Sequence, residues 1–319
     1  MQFRIIEWDQ GWNFIQEGIM NLKKRIAKGS PENQASSTEI VDMYTTVYNM
    51  CTQKPPYEYT APLYDRYQRT FEEHITSTVL PSLKAKHDEF LLQEFVKSWG
   101  DYKVMLRWMS RSFAYLDRYF LDRRSLPGLK EAAVNYYRDL VYREVNANVR
   151  EAAIRLIDKE REGGEIDSAL LKNVIDIFVE IGAGRRDAYE KDFEGYMLTN
   201  TRDYYSRKAS RWILEDNYTN YMLKAEECLR RERDIVSHYL HPSSEKMLVE
   251  TVKHWLLVVY ANQLIGKKRS ESGCGGDCLT VDNIEELSKK FIAAVVLEQQ
   301  VPAQCSTLFQ QAEDAAMQE

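Results

Sequence analysis

Five histidines (His74, His87, His238, His241 and His254) and five cysteines (Cys51, Cys228, Cys274, Cys278 and Cys305) carry the side chains of greatest chemical reach in these 319 residues. His238 and His241 stand three apart, which puts two imidazoles on one helix face, as a metal site needs. No Glu or Cys completes a set at a ligating spacing, and Pro242 stops the helix. The pair therefore reads as a surface or capping feature. Cys274 and Cys278 sit in a glycine-rich stretch with no second Cys pair and no clustered histidines; an oxidisable thiol pair fits them better than zinc. Gly182-Ala183-Gly184 lacks the third glycine of a dinucleotide loop and follows a helical pattern, so it reads as a helix C-cap. There is no GxxxxGK[ST] phosphate loop. Without any Asp-Asp pair, the DDxxD carboxylate cluster that holds magnesium in all-helical diphosphate-ionising enzymes is missing as well. No catalytic residue, metal or cofactor is expected.

What remains is surface for binding, and helices must present it. Seven of the eight prolines lie at positions 31, 55, 56, 62, 81, 127 and 242, leaving residues 128–241 without one. Inside that span apolar residues recur at three and four. Leu170, Leu171, Val174, Ile177, Phe178 and Ile181 form one series, opened by Asp167 as N-cap and closed by Gly182. A second runs through Ala153, Ile154, Leu156 and Ile157 to Gly163-Gly164. No alternating run carries Asn-Gly or Asp-Gly punctuation, so the chain is expected to be all-α.

One helix is too apolar for a simple surface element. At about 100° per residue from Ile40, Val47, Cys51, Tyr44, Tyr48, Val41, Met43 and Met50 fill an arc of roughly 180°, wider than the stripe of roughly 100° that faces one core. Tyr44, Tyr48 and Val41 occupy the surplus side. Residues 104–121 repeat the pattern, with Met105, Met109, Leu116 and Phe120 in the middle, Tyr115 at the edge and Arg118 just beyond. Two readings stand: a partner surface, since tyrosine and arginine are enriched at interface hot spots, or helices buried on two sides of a larger bundle.

Composition narrows the partners. Forty-three Lys and Arg against 49 Asp and Glu give a net charge of -6, and the pI near 5.6 is the reverse of what a phosphate backbone attracts. Nucleic acid is not expected as a partner. The longest apolar run, residues 255–261, is far short of the roughly 20 residues of a membrane span. Sparse cysteines in odd number suit a reducing compartment, and no secretory segment opens the chain, so an intracellular, soluble protein is expected. Proline spacing suggests three groups, 1–126, 127–242 and 243–319, with a polar, glycine-rich mobile loop near 266–279 in the third.

Residues 43–52 (MYTTVYNMCT) followed by Gln53-Lys54-Pro55-Pro56, 113–120 (FAYLDRYF), 158–163 (DKEREG), 204–210 (YYSRKAS) and 221–228 (YMLKAEEC) resemble the N-terminal region of the cullin family in its plant form. The likeness is dense from Trp8 to Leu264 and returns at Gln310 to Asp314. It implies an elongated stalk of stacked five-helix cullin repeats, with the third repeat incomplete. It also implies that the second and fifth helices of the first repeat bind the adaptor Skp1 together with an F-box protein, which by position falls on Ile40, Val41, Tyr44, Val47, Tyr48, Tyr115 and Arg118. Full-length members carry a C-terminal domain that joins the RING protein Rbx1 and bears the lysine modified by Nedd8. Nothing here corresponds to it, so Rbx1 is not an expected partner. The third repeat is expected to be shortened around 290–300, leaving Phe291, Ile292, Val295, Val296 and Leu297 exposed or loosely packed. The implied function is a non-catalytic scaffold of SCF-type ubiquitin ligases, cytoplasmic and nuclear, competing with full-length cullin for the adaptor. The other reading is a helical-repeat scaffold or tether that no longer binds the adaptor, or a nonfunctional product.

Overall fold

Helices begin and end where the sequence punctuates them. Asp167 accepts the Leu170 amide at 2.9 Å, satisfying one of the orphan donors at a helix start, and that helix closes at Gly182. The preceding helix stops at Arg161, two residues before Gly163 turns left-handed at φ 85°. The computed structural model describes residues 5–29, 37–182 and 186–272. Cys274, Cys278, Cys305, the apolar residues 291–297 and the matched stretch 310–314 lie outside the described residues, as do Ala183 and Gly184.

Among the described residues the chain is all-α, with eleven helices and no strand. These are α1 (Trp8–Ala27), α2 (Ser37–Thr52), α3 (Thr60–His74, continued through a π turn at Ile75–Val79 into Leu80–Lys84) and α4 (Asp88–Ser112). Next come α5 (Ala114–Leu116, a π turn at Asp117–Leu121 and a 3-10 turn at Asp122–Arg124) and α6 (Leu129–Tyr137, a π turn at Arg138–Tyr142, then Arg143–Arg161). Then follow α7 (Ser168–Ile181), α8 (Asp187–Tyr189, a π turn at Glu190–Glu194, then Gly195–Glu215) and α9 (Tyr218–His238). Last are α10 (Glu245–Lys253, then a π turn at His254–Val258) and α11 (Ala261–Ser272).

Pro81 does not end its helix. Proline withholds an amide and crowds the carbonyl four residues back, and here the π turn at Ile75–Val79 opens the ladder just ahead of it. The hydroxyls of Thr76 and Ser77 donate to the carbonyls of Glu72 and Glu73 at 2.9 and 2.5 Å. His238 and His241 do not share a helix face either: α9 stops at His238, and His241 turns its Nδ1 to Ser243 Oγ at 2.8 Å.

Two compact units divide the chain: residues 1–197 with 235–244, and 198–234 with 245–319. In the first, an aromatic spine of Phe113, Tyr67, Phe71, Tyr102, Tyr137 and Trp99 is joined by ring-centroid distances of 4.7 to 5.4 Å. Buried phenols need partners, and they have them. Tyr67 donates to Leu129 O at 3.0 Å and Tyr102 to Ala133 O at 2.7 Å, while Tyr137 pairs with Ser98 Oγ at 3.1 Å.

The second unit follows the same rule. Tyr221 donates to Leu256 O and Tyr205 to Glu232, each at 2.6 Å. Part of the expected loop is helix here. Lys267 to Ser272 belong to α11, because Lys267 donates to Asp216 O at 2.6 Å while Glu271 accepts the Tyr218 amide and, at 3.2 Å, the Thr219 hydroxyl. Polar side chains that looked solvated are tied down by the backbone beneath them.

Candidate functional site

Helix α2 is held from behind by two glycines. A Cβ on Gly11 would lie 2.3 Å from Met50 Sδ, and one on Gly18 would lie 3.1 Å from Met43 Sδ. Gly11 and Gly18 stand seven positions apart, as do Met43 and Met50, so α1 offers a smooth groove into which the inner edge of α2 sinks. The ends are clamped as well. Arg25 donates to both carboxylate oxygens of Glu39 at 2.9 and 3.0 Å, and Gln53 exchanges two hydrogen bonds with the Ile6 backbone at 2.6 and 3.0 Å.

That clamping fixes which side of α2 faces out. Met43, Val47, Met50 and Cys51 are buried. Ile40 and Tyr44 are half-buried, while Val41 and Tyr48 are 58% and 43% exposed. Val47 is a correction. Carried over by position as a contact residue, it is fully buried between Met43 and Cys51 and can only support the face from beneath.

Residues 104–121 are not one helix. At Phe113 (φ -101°, ψ 15°) the chain leaves helical geometry as its ring enters the core against Tyr67. A new element starts at Ala114 and widens into the π turn at Asp117–Leu121. Asp117 Oδ1 then accepts the Leu129 amide at 2.8 Å, fixing the end of α5 to the start of α6. The reset brings two tyrosines onto one surface, with Tyr115 and Tyr119 ring centroids 4.8 Å apart.

Across the two helices these rings form a continuous ladder. Tyr44 stacks on Tyr48 at 6.3 Å, and Tyr48 meets Tyr115 edge-on at 5.3 Å and 86°. Tyr119, at the far end, is 50% exposed. Arg118 is exposed beside them and has no carboxylate at ion-pair distance among the described residues. Burial under its neighbours holds the Tyr115 phenol above its ordinary pKa, so the ring is a neutral hydrogen-bonding apolar contact at any physiological pH. The Cys51 thiol beneath is pushed up to about 12 by burial, which removes it as a nucleophile.

Tyr44, Tyr48 and Tyr115 are thus joined on one side of the first unit, with Ile40 and Val41 half-buried or exposed on the helix that carries the first two and Arg118 exposed on the element that carries the third. Sequence reasoning missed Tyr119, whose spacing of four from Tyr115 was the available signal. It missed Arg123 and Arg124 too, which line a cavity of about 360 Å³ with Tyr115, Tyr119 and Phe120. Exposed tyrosine and arginine are the residue types that protein interfaces concentrate. Among the described residues no group of three or more His, Cys, Asp or Glu is placed to hold a metal ion.

Residues 12–300 match the family model described as the Cullin alpha solenoid domain. Similar proteins include Cullin-1 of Oryza sativa subsp. japonica, 53% identical over 98% of this chain and 43% of that relative. Putative cullin-like protein 1 of Arabidopsis thaliana is 40% identical over 99% of this chain and 45% of its own length. Cullin-like protein 3 of Arabidopsis thaliana is 44% identical over 79% of this chain and 97% of its own length. The chain spans less than half the length of the first two. With a family model matched along most of its residues and relatives this similar, the chain belongs to the cullin family.

Proposed function

We propose that the chain is a scaffold of SCF-type ubiquitin ligase assemblies and docks a Skp1-like adaptor with its F-box protein on the tyrosine face of α2 and α5. The observation that carries this reading is the ladder Tyr44, Tyr48, Tyr115, Tyr119, half-buried to half-exposed, on a helix pair whose inward residues Met43, Val47, Met50 and Leu116 are buried. Tyrosines held by one another lose little rotamer entropy on binding and bring large apolar area with a polar tip. The role is positional. A scaffold that holds a substrate receptor near a reaction partner acts through effective concentration, with no bond-making group of its own.

A binding titration against a purified Skp1–F-box complex tests this, beside a Tyr44→Ala, Tyr115→Ala variant. Sub-micromolar binding by the 319-residue chain, lost in the variant and displaced by a full-length cullin, supports docking on this face and competition for the adaptor. No binding by protein that circular dichroism finds helical and folded overturns it.

A further inference from the structure

At the end of the tyrosine ladder the cavity of about 360 Å³ opens between the start of α3 and the last turns of α5. Its lining includes Thr60 and Ala61 from α3 and Tyr115, Tyr119, Phe120, Arg123 and Arg124 from α5. The guanidinium of Arg124 lies 4.3 Å over the Phe120 ring, so an aromatic face and not a carboxylate holds it. Neither arginine has an ion-pair partner among the described residues. Glu58 is the acid in the lining, and its carboxylate already accepts the Thr60 amide at 2.9 Å at the start of α3. A cationic last turn suits the helix dipole, but dipole compensation does not call for an aromatic-walled recess beside the two charges.

The chain as a whole carries a net charge of -6, which makes this recess a local positive spot on an acidic molecule. We infer that it receives an acidic side chain, Asp or Glu, from the protein docked on the tyrosine face. The carboxylate meets the forks of Arg123 and Arg124, and the methylene stem lies along Tyr119 and Phe120. A planar guanidinium already fixed over a ring loses less freedom on pairing than a free one. A charge pair at the end of an apolar ladder also sets the register in which a partner lies along it. This inference rests on the docking reading above and adds the partner's chemistry at one end of the surface.

The experiment titrates the Skp1–F-box complex into the wild-type chain, an Arg123→Glu, Arg124→Glu variant, an Arg123→Lys, Arg124→Lys variant and the Tyr44→Ala, Tyr115→Ala variant, at low and at physiological ionic strength. Both arginines are exposed, and circular dichroism checks that each variant is folded. Charge reversal is expected to weaken binding about tenfold or more and to reverse its salt dependence, since screening then relieves repulsion instead of attraction. The lysine pair is expected to keep the wild-type salt dependence while losing part of the affinity, because a point charge lacks the bidentate fork. Unchanged affinity and salt dependence in the glutamate variant, with binding lost in the tyrosine variant, overturns the acidic-side-chain inference and leaves the docking reading standing. No binding by the folded wild-type chain overturns both.

Discussion

Val47 and Tyr48 are adjacent on α2, yet one is fully buried and the other 43% exposed, so replacing each with alanine separates folding from docking. Val47→Ala removes two methyl groups from a packed interior. At about 0.8 kcal/mol per buried carbon, plus a cavity term of similar size, the loss is about 2–3 kcal/mol. With a urea dependence of roughly 2–3 kcal/mol per molar, the unfolding midpoint falls by about 1 M. Tyr48→Ala removes an edge-on contact to Tyr115 at 5.3 Å and a stacked one to Tyr44 at 6.3 Å, both at the surface. Its stability cost is about 1 kcal/mol. On the proposed docking reading its binding cost is about 2 kcal/mol, roughly thirtyfold in Kd. Urea unfolding followed by far-ultraviolet circular dichroism measures the first quantity, and a titration against the Skp1–F-box complex well below both midpoints measures the second. The reasoning fails if Val47→Ala weakens binding thirtyfold without moving the midpoint, or if Tyr48→Ala destabilises as much as Val47→Ala and binds unchanged.

Gly11→Ala is expected to destabilise by about 1–3 kcal/mol through overpacking against the buried Met50, although alanine is the better helix former; a Met50→Val change that restores part of the urea midpoint confirms the clash. Burial, with Lys23 nearby, lowers the His74 pKa from 6.5 to about 4. The unfolded chain therefore takes up a proton below pH 6.5 that the folded chain refuses until about pH 4, so this contribution is complete above 6.5 and lost as pH falls to about 4. It amounts to at most about 3 kcal/mol, and a His74→Gln midpoint that falls as steeply as the wild type between those values refutes it. Glu194, 4% exposed, accepts Ser244 Oγ at 2.5 Å, and burial raises its pKa. Stability held below the ordinary carboxylate pKa is then lost as pH rises through the raised value, so Glu194→Gln is expected to flatten that loss and to be more stable than the wild type at alkaline pH. Glu194→Ala, which leaves the buried Ser244 hydroxyl with Tyr189 alone as side-chain partner and opens space beside it, is expected to cost about 1–3 kcal/mol at every pH.

The outward edge of α2 was legible because one uninterrupted helix keeps a constant angular step. Val41, Tyr44 and Tyr48 fall on the surplus side of the wide arc, and the structure leaves them half-buried to exposed. Val47 was misplaced by carrying a family contact over by position. Its own angle, between Met43 and Cys51, already put it in the middle of the inward face. Residues 104–121 were illegible for a different reason. Their apolar spacing continues through Phe113 as though the helix did, while the break there and the π turn at Asp117–Leu121 change the angular step without leaving a mark in composition. The stretch from Lys267 to Ser272 misled in the opposite sense. Nothing local says that Lys267 and Glu271 will find the Asp216 carbonyl and the Tyr218 amide some fifty residues away, and those bonds make the segment a helix.

Two of these three failures, Val47 and residues 104–121, fall where function is proposed, and the physics of the face explains why. A docking surface made from two helices must keep their rings in register, and periodicity within either helix cannot encode that relation. Here three devices do so: the glycine groove that sinks α2 onto α1, the buried ring of Phe113 that ends α4, and the Asp117 carboxylate that ties α5 to the start of α6. Each is a single residue type whose meaning depends on a partner distant in sequence. Together they leave Tyr48 and Tyr115 edge-on before any partner arrives. A surface ordered in advance gives up little conformational entropy when it is covered, so more of the apolar burial on docking remains as affinity.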